Sequence, residues 1–133
     1  MSRLFLQETA KYNDLVDLTL CCMLFKVCNC RQFEQMKGTE FADFMNLKQS
    51  TTKITVRSRE NNRVCYLLYI VSKEFCNPDV GMEWVMKMLD CCNISLEYYK
   101  SHYKDAESIG TSKANKIFVE DVRKAFKIAK EYM

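Results

Sequence analysis

The chain has 133 residues, 48% of them apolar and 28% charged, with a formal net charge of +3. That balance suits one domain with a real core and excludes a disordered chain. Three glycines and one proline leave few obligatory turns, which argues against a many-turned all-β fold.

No apolar run approaches the roughly twenty residues needed to cross a bilayer. The longest, Leu20 to Phe25, is broken by Lys26, and the opening MSRLFLQETAKYNDL meets Glu8 too early for a signal peptide. The expectation is a soluble, cytoplasmic protein with no membrane partner.

In chain order, Tyr12 to Cys28 is apolar on most sides and predicts a central helix, with Asn13 or Asp14 near its first turn. Asn29 to Lys37 is polar and reads as a connection. Glu40 to Met45 predicts a short amphipathic helix with Phe41, Ala42 and Met45 on one side, closed by Asn46 in the left-handed conformation. Ser50 or Thr51 is placed to cap a second, basic helix that exposes Lys53 and Arg57. A rival reading exists for this stretch: KITVRSR alternates and is β-branched, so Asn61-Asn62 could turn a hairpin over residues 53–71.

Arg63 to Cys76 shows Val64, Leu67, Leu68, Val71 and Phe75 near helical spacing, and Asn77-Pro78 stops it. Asp79 can cap a helix to Cys92, buried through Val80, Trp84, Val85, Met88 and Leu89. Met82, Met86 and Met88 read as core packing, with an exposed methionine groove as the other reading. Ser95 caps a helix from Leu96 to about Ser108, with Glu97 in its first turn. The last helix, about Lys116 to Tyr132, buries Phe118, Val122, Phe126 and Ala129. The sum is a mainly α fold, a single helical domain over residues 1–133 with about six to seven helices.

Catalytic and metal chemistry find little support. The eight cysteines form one CxC (Cys28, Cys30), two adjacent CC pairs (Cys21-Cys22, Cys91-Cys92) and two singles, with His102 the only histidine. Adjacent thiols on a helix point roughly 100° apart and do not serve one ion. Reduced thiols filling a core are the simpler reading. His102 has no local nucleophile, and Asp90, Glu97, Asp105 and Glu107 fall on different helical faces. No phosphate loop is present, since the glycines are isolated. No cofactor, no metal and no enzymatic activity are expected.

Charge is unevenly placed. Between Phe44 and Ser72 stand Lys48, Lys53, Arg57, Arg59 and Arg63 against one acid, Glu60. A helix-turn-helix that reads DNA needs a small residue at the helix crossing, a permissive turn and exposed polar groups opening the second helix. Residues 39–60, TEFADFMNLKQSTTKITVRSRE, supply Ala42 at the crossing and Met45 and Leu47 around Asn46. Gln49, Ser50, Thr52 and Lys53 are placed for base edges, and Lys48, Arg57, Arg59 and Arg63 for phosphates.

In that order the stretch resembles the helix-turn-helix of bacterial regulators of the LysR and MarR types, over roughly twenty residues. Thr52 and Thr55 stand where those families bury aliphatic residues, and Ile54 and Val56 sit off that face. A fainter resemblance, to the C-terminal region of RteC-type regulators of conjugative transposon excision, rests on DFMNL through NRVCYL, on Asn93-Ile94-Ser95-Leu96 with Tyr98-Tyr99, and on Asn115 to Met133. These resemblances imply a non-enzymatic regulator that binds double-stranded DNA, and its short reading helix implies a homodimer. The rival class is an all-helical protein-interaction adaptor, viral or mobile-element encoded, that takes a protein partner in a groove between helices.

Overall fold

The computed structural model describes residues 15–48 and 54–132. Among these the chain is mainly helical: α1 (Leu18–Cys28), α2 (Gly38–Met45), α3 (Asn61–Ser72), α4 (Pro78–Cys92), α5 (Leu96–His102), a 3-10 turn (Asp105–Glu107) and α6 (Lys113–Glu131). No sheet forms among them, and pairing is limited to isolated bridges at Asn29–Phe33 and Phe33–Val56. One apolar cluster runs through all the helices.

Local chemistry starts and stops most of these helices. Asp17, Asn77, Ser95 and Ser112 each accept a backbone N–H from the first turn of α1, α4, α5 and α6. Asn77, rather than Asp79, caps α4, because Pro78 takes the first helical position, where a missing N–H costs nothing. Asn93 ends α4 in the left-handed conformation, with Ile94 buried behind it.

The end of α2 departs from expectation. Leu47, not Asn46, takes the left-handed conformation (φ 57°), with Leu47 N–H to Phe44 O and Lys48 N–H to Asp43 O closing the turn. Asn46 is needed elsewhere. Its side chain, almost wholly buried, accepts from Val16 N–H (2.7 Å) and donates to Ala42 O (3.0 Å). It thereby ties the approach to α1 to the end of α2.

The most enclosed helix is α3, where Val64 to Leu68 are buried in unbroken sequence. α6 is the contrasting amphipathic rod: Phe118, Val119, Val122, Ala125, Phe126 and Ala129 face the core at helical spacing, and it lies along α1. Trp84 of α4 is fully buried and donates its indole N–H to Met45 O (2.8 Å), joining α4 to α2. A Cβ on Gly81 would come within 2.9 Å of Ser72 O, so glycine permits the close packing of α4 on the end of α3.

Three further expectations change. The 29–37 connection is not wholly polar, because Phe33 is fully buried and packs edge-on against Phe41 and Phe44. Met88 is core, whereas Met82 and Met86 face outward, since the buried stripe of α4 runs through Val80, Trp84, Val85, Met88 and Leu89. The hairpin over 53–71 does not form either: residues 61–72 are helix, and Val56 pairs with Phe33.

Candidate functional site

Residues 54–60 carry two of the predicted phosphate contacts, and they are not a helix. Ile54, Thr55 and Val56 are β-branched in sequence, and such side chains lose rotamer freedom in a helix. They instead run extended beside residues 32–34. Glu34 N–H bonds Thr55 O (3.0 Å), Arg57 N–H bonds Gln32 O (2.9 Å), and Val56 lies opposite Phe33. Ile54 is buried and Thr55 and Arg57 exposed, the alternation of a strand. Arg59 then turns the chain in the left-handed conformation (φ 69°) into α3. The helix expected to carry Arg57 and Arg59 is therefore a braced loop.

The facing wall is the turn after α1. Cys30 is left-handed (φ 64°), and the N–H groups of Arg31, Gln32 and Phe33 all converge on Cys28 O. Between this turn, residues 57–63 and the first half of α6 lies an open cleft of about 340 Å³. Arg31, Arg57 and Arg63 line it together with Glu60 and Asp121.

The three arginines are held differently. Arg31 meets Asp121 at 3.5 Å with its side chain 62% exposed, and Arg57 meets Glu34 at 3.7 Å with its side chain 48% exposed. Arg57 also donates to Cys30 O. Arg63 meets Glu60 at 2.8 Å with both side chains only 17% exposed, and Gln32 Nε2 donates to the other Glu60 oxygen at 3.1 Å. Exposed pairs contribute about 0–1 kcal/mol and exchange readily with another anion. The Arg63–Glu60–Gln32 bridge is drier and ties the start of α3 to the turn after α1, so Arg63 acts as a strut. Gln32 Oε1 is buried with no donor among the described residues.

The sequence-predicted site residues fall as follows. Arg57 and Arg63 meet in the cleft. Lys48 and Arg59 are exposed but do not line it. Gln49, Ser50, Thr52 and Lys53 lie outside the described residues. Arg31 escapes sequence reading, because only tertiary packing brings it beside Arg57.

Several thiols are packed into the core, and His102 is held by a carboxylate. Cys28 lies buried next to the cleft, and burial pushes its thiol far up, outweighing the nearby Arg31 charge. Burial likewise raises Cys65 to about 12 and lifts Cys92. His102 Nδ1 sits 2.6 Å from Asp105 Oδ2, and its ring leans on Tyr98. Asp105 also accepts from Asn62 (3.0 Å), so this group fastens α3 to α5 and the 3-10 turn. Among the described residues no three His, Cys, Asp or Glu side chains gather where they could hold a metal ion, and no helix is long and apolar enough to cross a membrane.

No family model, curated protein or solved structure matches this chain.

Proposed function

We propose that this protein is a small, non-enzymatic DNA-binding regulator that grips the duplex by its phosphates through the cations of the loop before α3, with Arg31 beside them. The observation that carries the reading is the convergence of Arg31 and Arg57, exposed and weakly paired, on one cleft. A phosphate displaces Asp121 or Glu34 at a cost of about 0–1 kcal/mol per pair. It also releases the counterions condensed on DNA, which is where such affinity originates. Lys48 and Arg59, both exposed, extend the positive surface along the chain.

The order of residues 39–60 resembles LysR- and MarR-type motifs, although residues 54–60 form an extended loop and not the second helix of such a motif. Residues 54–60 would then work as a braced loop on the backbone, leaving base edges to Gln49, Ser50, Thr52 and Lys53. A single short reading segment covers few base pairs, so the regulator would bind as a homodimer over two half-sites.

A mobility-shift titration of a random-sequence duplex at low salt tests this. The parent should bind, and Arg57→Ala, Arg59→Ala and Arg31→Ala should each weaken binding several-fold without altering the helical circular dichroism. A parent that leaves the duplex unshifted, or variants that bind as the parent does, would refute the proposal.

A further inference from the structure

α3, α4 and α5 enclose a second depression, of about 470 Å³, that shares no lining residue with the arginine cleft. Its wall is aromatic and apolar: Tyr69, Phe75, Met82, Tyr99 and Tyr103. Tyr103 stacks on Tyr99 (5.3 Å) and stands edge-on to Tyr69 (4.7 Å). Met86, 47% exposed, continues the apolar strip one turn along α4 from Met82 at 36%. The close α3–α4 approach at Gly81 forms one end.

The charged residues at its rim are all cationic. Lys73 and Lys100 line the depression, and no carboxylate does. Lys73 Nζ lies 4.3 Å from the Tyr69 ring centre, and Lys104 Nζ lies 5.8 Å from Tyr69 and 5.6 Å from Tyr103. Among the described residues none of these three lysines is ion-paired. Lys73 and Lys104 rest on ring faces, which attract a cation without pairing it with a carboxylate.

We infer that this groove docks an acidic peptide segment of a partner protein, which seats a bulky apolar side chain among the tyrosines while its carboxylates meet Lys73, Lys100 and Lys104. The volume suits one large side chain and its neighbours. Charge complementarity selects the occupant. A nucleic-acid base needs an open ring face to stack on, and lysines already cover Tyr69 and Tyr103. A second copy of this chain, paired face to face, would set lysine against lysine.

Fluorescence anisotropy tests the inference with two labelled, capped peptides of about ten residues. Each carries one Leu and one Phe three positions apart, flanked by Asp and Glu in one peptide and by Lys in the other. The parent should bind the acidic peptide and not the basic one, more weakly as salt rises. The double variant Lys73→Glu/Lys100→Glu should weaken binding at least about tenfold. Met82→Asp, which alters an exposed side chain, should do the same, and Arg57→Ala should bind the acidic peptide as the parent does. If Met82→Asp does not fold, the lysine double variant decides alone. The inference is overturned if the parent fails to bind the acidic peptide, if both peptides bind equally, or if the lysine variant binds unchanged. It is also overturned if duplex DNA displaces the peptide, or if sedimentation shows a dimer that Met82→Asp dissolves. Because Arg57→Ala separates the sites, failure here leaves the DNA-binding proposal standing, and the converse holds.

Discussion

The two clusters of basic side chains in this protein differ in what holds their cations. In the arginine cleft every guanidinium has a carboxylate of its own chain: Asp121 for Arg31, Glu34 for Arg57 and Glu60 for Arg63. At the tyrosine groove the ammonium groups of Lys73 and Lys104 lie over rings. Arginine's planar fork suits bidentate carboxylate or phosphate contacts, whereas lysine acts as a point charge on a flexible stem. An anion entering the cleft must therefore exchange partners, while one entering the groove meets lysines that, among the described residues, have no carboxylate in ion-pair contact. Within the cleft, exposure decides which pairs can exchange and which only brace the fold.

The largest expected effect tests the support beneath the cleft. Phe33→Ala removes the ring that packs on Phe41 and Phe44 and anchors the bridge to Val56. It should cost about 3–5 kcal/mol in urea unfolding. A loss under about 1 kcal/mol would mean that the 29–34 turn does not depend on that core.

Next in size is Glu60→Ala, which strands Arg63 and Gln32 together and should cost about 1–3 kcal/mol. Glu34→Ala, breaking an exposed pair, should cost less than about 1 kcal/mol. Equal costs from the two would erase the distinction between strut and exchangeable pair.

Smaller still is a gain. Glu34→Gln removes the carboxylate that competes for Arg57 and should tighten duplex binding by up to about five-fold. The smallest effect is chemical protection. Cys30, exposed at the cleft, should alkylate in the free protein and be shielded by duplex DNA, with exposed Cys76 labelling either way as the control. Cys28, Cys65 and Cys92 should stay unmodified near pH 8 until the chain unfolds, because burial holds them as thiols. Peptide mass spectrometry reads all five sites.

Helical periodicity and caps were legible in the sequence. The stripes of α4 and α6, the Ser95 cap and the Asn93 stop follow from spacing and local hydrogen bonding, which a single sequence carries. What escaped depended on distant partners. KITVRSR holds two conflicting signals, β-branching and a motif-like order, and the pairing of Val56 with Phe33 resolves it as extended chain. The positive φ of Leu47 costs roughly 1 kcal/mol, and its closed turn accompanies the buried Asn46 bracket to Val16. The site was legible by half: the basic island is visible in residue order, but neither the convergence of Arg31 on Arg57 nor the strut role of Arg63 can be read without the fold. The lysines over Tyr69 and Tyr103 come from separate helices and loops and have no sequence motif at all.

The most direct test of the account is the salt dependence of duplex binding, measured as the slope of log affinity against log salt for the parent, Arg57→Ala and Lys73→Ala. The slope should be shallower by about one unit for Arg57→Ala and unchanged for Lys73→Ala. A slope that ignores Arg57, or that falls with Lys73 instead, would contradict it.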